Sequence, residues 1–171
     1  MKKIIGVIAA ISLTLFAASC ASTGPSPGML DVQNARTNKP NDTLVGVASN
    51  TDKAQSETRA RSQITRALTF IARSIVVDYK AAGGAGADAL EVELNQAVAR
   101  SRPSVETAKQ HLEKKEWWTV YYLEKDGAQK EIKTAEAAAK ANVPAAAAFN
   151  SDAYFEKAFK EAANREWLAS N

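Results

Sequence analysis

Residues 52–82 read DKAQSETRARSQITRALTFIARSIVVDYKAA, and the fold turns on this stretch. Ala60, Ile64, Ala67, Leu68, Ile71, Ala72, Ile75 and Tyr79 recur at three- and four-residue steps, which puts them on one face of a long helix. Asp52 followed by Gln55 makes a capping box at its start, and Gly83-Gly84 ends it. One apolar stripe needs one partner surface. The helix also carries Arg59, Arg61, Arg66 and Arg73. These read first as a solvated face with intrahelical pairs such as Glu57 to Arg61; a patch for a polyanion or a lipid headgroup is the other reading.

The partner surface is expected from two β-rich stretches. Thr43 to Ser49, TLVGVAS, lies between Asn41-Asp42 and Asn50-Thr51-Asp52 and reads as a first strand, with Gly46 marking a bulge or a point of tight packing. Trp117-Trp118-Thr119-Val120-Tyr121-Tyr122-Leu123 is a strand by composition and alternation. Trp118, Val120 and Tyr122 face one way and Trp117, Thr119, Tyr121 and Leu123 the other. Residues 106–115 are either an antiparallel neighbour or, given their charge, a helix. Asp126-Gly127 reads as a hairpin turn leading into a strand over 128–134, with Ile132 as its anchor.

Further helices complete the expectation. Residues 85–101 suit a shorter helix capped by Asp88 and Glu91, with Leu90, Leu94, Ala97 and Val98 on one face. Ala135 to Ala148 is alanine-rich and broken at Asn142 and Pro144. Ser151 or Asp152 opens a last helix in which Phe155, Ala158, Phe159, Ala162 and Glu166 share a face, flanked by Tyr154 and Trp167. A terminal helix docked on the core is the expected use of these aromatics, ahead of a membrane-surface helix. The fold class is α+β: a small antiparallel sheet packed against a long amphipathic helix plus a C-terminal helix, in one domain spanning 43–171.

What precedes residue 43 reads as an address. MKKIIGVIAAISLTLFAASC places Lys2 and Lys3 before an apolar run from Ile4 to Phe16, then small residues up to Cys20. Thirteen residues interrupted by Gly6, Ser12 and Thr14 fall short of the ~20 that span a bilayer. Ala17-Ala18-Ser19-Cys20 resembles the bacterial lipobox, whose Cys is acylated and becomes the first mature residue. Residues 1–19 are then a lipoprotein signal peptide, Cys20 the lipidation site, and 20–42 a lipidated flexible tether. The 22 residues 21–42 hold three of the five prolines; they would span about 26 Å as a coil, or roughly 75 Å if drawn straight. By resemblance to Gram-negative sorting patterns, Ala21 after the Cys implies the outer membrane, with the leaflet left open.

Composition narrows function mainly by exclusion. One Cys and one His cannot supply the ligands of a structural zinc site, and His111 lies in a charged run without a second His. Glu113 and Glu116 alternate with Lys114 and Lys115, an environment that gives a carboxyl no reason to become a general acid. Gly83-Gly84-Ala85-Gly86 is not a phosphate loop, and no nucleophile elbow occurs. No catalytic residue, metal or cofactor is expected. Removing Lys2 and Lys3 from the 22 basic residues leaves 20 against 19 acidic, which makes no case for nucleic acid.

The order of lipobox, polar tether, strand, long Arg/Ala helix, Trp/Tyr strand and closing helix resembles the Lpp-twenty family of bacterial lipoproteins, which includes flagellar accessory lipoproteins. The residues carrying the likeness are Gly46 and Ser49, Thr58-Arg59-Ala60-Arg61, Arg66-Ala67-Leu68, and Trp118 to Leu123. It implies a small α/β domain with a structural or assembly role at the outer membrane and no catalytic residues. The expected partners are the membrane, through the lipid anchor, and another envelope protein, touched through Trp117, Trp118, Tyr122 and the helices. The alternative is a lipoprotein holding an apolar or lipid ligand between sheet and helix, lined by Trp118, Tyr122, Phe155 and Phe159.

Overall fold

A computed structural model describes residues 42–165 and, before them, Leu30, Asn34, Thr37 and Asn38. Cys20, the rest of the segment before Asp42, and Glu166 and Trp167 lie outside the described residues. Strand β1 (Thr43–Asn50) leads into the long helix α1 (Lys53–Ala81) and then α2 (Ala87–Arg100). Strands β2 (Glu106–Glu113) and β3 (Glu116–Glu124) follow, then α3 (Lys125–Asn142), a 3-10 turn at Pro144–Ala146, and α4 (Asp152–Ala163). The fold is α+β, with a three-stranded antiparallel sheet in the order β1-β3-β2.

Helix α1 begins and ends as its sequence dictates. The Asp52 carboxylate accepts from the Gln55 backbone N–H at 2.9 Å, satisfying one of the unpaired donors of the first turn. At the other end Gly83 takes a left-handed φ of 81°, while the Gly84 and Gly83 N–H groups return to the carbonyls of Tyr79 and Lys80. This is a Schellman stop, whose left-handed residue glycine adopts without steric cost. Between those ends Ala60, Ile64, Ala67, Leu68, Ile71 and Ile75 are fully buried.

The stripe is seated on β1 unusually closely. A Cβ at Gly46 would lie 2.2 Å from the Ala60 carbonyl oxygen, so only glycine lets the helix backbone come this near. The tight-packing reading of Gly46 holds. One turn along, the Gln63 carboxamide accepts from the Val47 N–H at 3.0 Å and donates to the Val47 carbonyl, as a neighbouring strand would. The edge of β1 is thereby closed against further pairing. A polar seam runs beside it. Gln110 donates to Glu57 (2.9 Å) and to the Thr119 hydroxyl (3.3 Å); Thr119 and Ser56 are hydrogen-bonded at 2.9 Å, and Ser56 donates to the Ala48 carbonyl. Ser56 and Thr119 are fully buried, so a broken link would strand a hydroxyl without solvent.

The remaining helices extend the same core. Leu90 and Leu94 of α2, Ile132 of α3, and Phe155 and Phe159 of α4 join the α1 stripe, with Leu44 and Leu123 contributed by the sheet. Helix α4 is pinned at its rim by Lys157 to Asp78 of α1 (2.9 Å) and by Glu156 to Lys125 of α3 (2.5 Å). Each pair favours its charged forms: the hydrogen bond that Lys157 donates to Asp78 raises the Lys157 pKa, and the one from Lys125 lowers that of Glu156. Both pairs are solvated, and they orient α4 more than they stabilise it.

Three sequence expectations are corrected. Asp126-Gly127 is not a hairpin turn and 128–134 is not a strand, because both belong to α3. Ala128, Ile132, Ala135 and Ala139 fall on one buried helical face, and that period prevails over the local turn preference. The hairpin lies one strand earlier, at Lys114 and Lys115, whose φ values are 48° and 71°. It makes residues 106–113 a strand and settles the alternative left open there. At α2 the cap position is Gly86, at φ 68°, and Asp88 sits in the first turn, where it pairs with Lys80.

Gly46→Ala is expected to lower stability by about 3 kcal/mol, at the upper end of overpacking costs because the clash is with backbone. Urea unfolding with an unchanged slope checks it. An unchanged midpoint would mean that α1 does not sit on β1 this closely.

Candidate functional site

Every second residue of β3 faces α1, and the others face away. Inward, Leu123, Tyr121 and Thr119 stand opposite Leu44, Gly46 and Ala48 of β1. Outward, three rows form across the sheet: Ser49, Trp118 and His111; Val47, Val120 and Lys109; Val45, Tyr122 and Glu106. No side chain of these rows belongs to the core beneath α1. Val120 is nevertheless 2% exposed and Val47 6%, while Val45, Trp118 and Tyr122 are half-buried.

The outward face thus has an aliphatic centre between two aromatics and a polar flank on β2. His111 Nε2 lies 3.9 Å from a Glu113 carboxylate oxygen on that flank. The free edge of β2 is made unattractive to another strand by Lys109 and Glu106 and by a register shift between Thr107 and Lys109.

The five aromatics singled out in the sequence are divided among three environments. Trp118 and Tyr122 lie on the outward face. Trp117 takes the other side, at the end of the sheet, with the Lys53 ammonium 5.3 Å from its ring centre. Phe155 and Phe159, 2% and 0% exposed, pack against each other at 5.5 Å within the core. The sheet stands between Trp118 with Tyr122 and Phe155 with Phe159, so these four do not line one pocket. Open clefts occur elsewhere, among them one of about 410 Å³ beside Lys133, Glu136, Lys140 and Asn150. One of about 310 Å³ between α1 and α4 is bordered by Phe70, Arg73, Val77, Asp78, Lys157 and Glu161. A further one, about 270 Å³, lies between α2 and α3 near Glu93, Arg100, Glu131 and Asn142.

Among the described residues no group of three or more His, Cys, Asp or Glu could hold a metal ion, and no helix is long and apolar enough to cross a membrane. Sequence reasoning passed over Gln63 and Ser56, the polar residues that register α1 on the sheet. Their signal was positional: 56, 60, 63 and 67 step by four, three and four, which puts both on the buried stripe with Ala60 and Ala67. The chain matches no family model, no curated protein and no solved structure.

The division of the aromatics sets an order of stability effects. Phe159→Ala is expected to cost about 3–5 kcal/mol through the cavity it leaves, and Trp118→Ala less than half of that, measured by urea unfolding. Equal losses would place Trp118 in the core.

Proposed function

We propose that this chain is a non-enzymatic exported lipoprotein, anchored at the bacterial outer membrane by acylated Cys20. Its folded domain has a structural or assembly role, exercised by binding another envelope protein. The observation that carries the reading is the place of the chain's one Cys, at the end of a small-residue segment behind Lys2-Lys3 and an apolar run. Between Cys20 and the start of β1 at Thr43 stand 22 residues. Acyl chains that each contribute about 0.8 kcal/mol per buried CH₂ make such an anchor effectively permanent.

Within the domain, the half-buried Trp118 and Tyr122 on the outward face are the contacts proposed for the partner. They lie beside a charged flank on β2, and aromatic anchors within a charged rim are a distribution found in protein interfaces. The separation of Trp118 and Tyr122 from Phe155 and Phe159 favours this role over an apolar ligand held between sheet and helix. The resemblance to the Lpp-twenty lipoproteins points the same way.

Radiolabelled palmitate is expected to enter the wild-type protein and not Cys20→Ser, with the labelled chain recovered in outer-membrane fractions. Equal labelling of both proteins, or of neither, would remove the anchor and the compartment with it.

A further inference from the structure

Strands β2 and β3 are joined by two residues, Lys114 and Lys115, both in the left-handed region at φ 48° and 71°. Two such residues make a type I′ turn, which Asn-Gly closes with the least strain and to which lysine is poorly suited. One pair back from the turn, Leu112 of β2 stands opposite Trp117 of β3. Their side chains lie on the α1 side of the sheet, at the end where the helix begins. The ammonium of Lys53, the first residue of α1, lies over the Trp117 ring, and Leu112 is left 57% exposed. Lys114 and Lys115 are exposed and Trp117 is half-buried. The hairpin thus ends in an apolar pair with three cations about it.

A single exposed leucine is ordinary. Val77 and Val92, the other described large apolar side chains more than half exposed, stand on helices. Leu112 differs in lying directly opposite an aromatic, beside a turn whose residues run against its backbone preference. The acids nearby are turned away or engaged. Glu113 and Glu116 oppose each other on the outward side of the sheet, where Glu113 lies 3.9 Å from His111. Glu57 accepts from Gln110 and lies 3.9 Å from Lys53, and the Asp52 carboxylate accepts from the Gln55 N–H. At this end of the sheet one side is apolar and cationic, and the other is acidic.

We infer that the end of the β2–β3 hairpin is a contact for an anionic phospholipid bilayer, with Trp117 at headgroup level, Leu112 at the acyl boundary and the lysine ammonium groups on the phosphates. Tryptophan beside leucine, with lysines that reach back to the polar layer, is a combination suited to a bilayer surface. Two features favour a bilayer over a protein. One cross-strand pair and a two-residue turn fall far short of the about 800 Å² a side that a stable protein interface needs. An exposed turn also offers a protein no groove, whereas a fluid bilayer adapts to its shape. The contact belongs to the folded hairpin and does not depend on acylation of Cys20.

The test reads the depth of single sites, because the apolar run over residues 4–16 enters vesicles by itself and makes capture of the chain uninformative. The full chain carrying Cys20→Ser has no native thiol. An environment-sensitive fluorophore is attached at Leu112→Cys or, for comparison on α2, at Val92→Cys, and its quenching by brominated acyl chains is measured in vesicles of phosphatidylcholine with phosphatidylglycerol. The label at 112 is expected to be quenched at least about threefold more than the label at 92, as for a side chain roughly 5–10 Å inside the headgroup boundary. High salt, or vesicles of phosphatidylcholine alone, should remove most of the difference. Lys114→Asn/Lys115→Gly, which suits the turn better, is expected to lower the docked-to-free ratio of the 112 label about thirtyfold, at the usual worth of two lysines near an anionic surface. Its urea midpoint should stay at or above that of the parent. Equal quenching at the two sites, no quenching at 112, or quenching untouched by the lysine variant would overturn the inference. So would shielding of the 112 label that grows with protein concentration in the absence of lipid, which would assign the hairpin end to a second copy of the chain. Failed palmitate labelling of the wild type with the 112 quenching intact would remove the anchor and leave this contact.

Discussion

The contact between the Ala60 carbonyl of α1 and Gly46 of β1 governs how the rest of the chain is arranged. With no Cβ at Gly46 the helix backbone approaches the strand directly, and the Gln63 carboxamide can reach the main chain of Val47. Those two features fix both the height and the register of α1 on the sheet. Once α1 is placed, α2 and α4 flank it, and Leu44 and Leu123 close the core from below. A core built on a single long helix also decides which surfaces stay outside it: the far face of the sheet and the far face of the helix.

Charge follows the same division. Near α3 and α4 acids and bases are interleaved and paired, as in Lys125 with Glu156 and Lys133 with Asp152. Along the exposed side of α1 they are sorted, with arginines and no acid between Glu57 and Asp78. Net charge carries no information about how charges are distributed over the surface.

Much of the fold was legible because its strongest signals are periodic. The α1 stripe from Ala60 to Tyr79, the Asp52 cap, the alternation along Trp117 to Leu123, and the terminal helix with Phe155 and Phe159 all stand where periodicity puts them. Helix α3 was misread because its buried face is mostly alanine, too weak an apolar signal to override Asp126-Gly127. The β2–β3 turn escaped notice because Lys114 and Lys115 hold a conformation normally advertised by Asn or Gly. The aromatic residues of the candidate site were visible by composition. Their assignment to opposite sides of the sheet for Trp118 and Phe159 depended on pairing between strands more than sixty residues apart, which no local pattern encodes.

Native-state hydrogen exchange across the full chain tests the governing role of the α1–β1 contact most directly. If the fold hangs on it, amides of α1 from Ala60 to Val76 and of the β1–β3 ladder will exchange only through global unfolding, while those of α2 and α3 open at lower free energy. Exchange of α1 ahead of α2 or α3 would contradict this, and would move the organising contact elsewhere in the core.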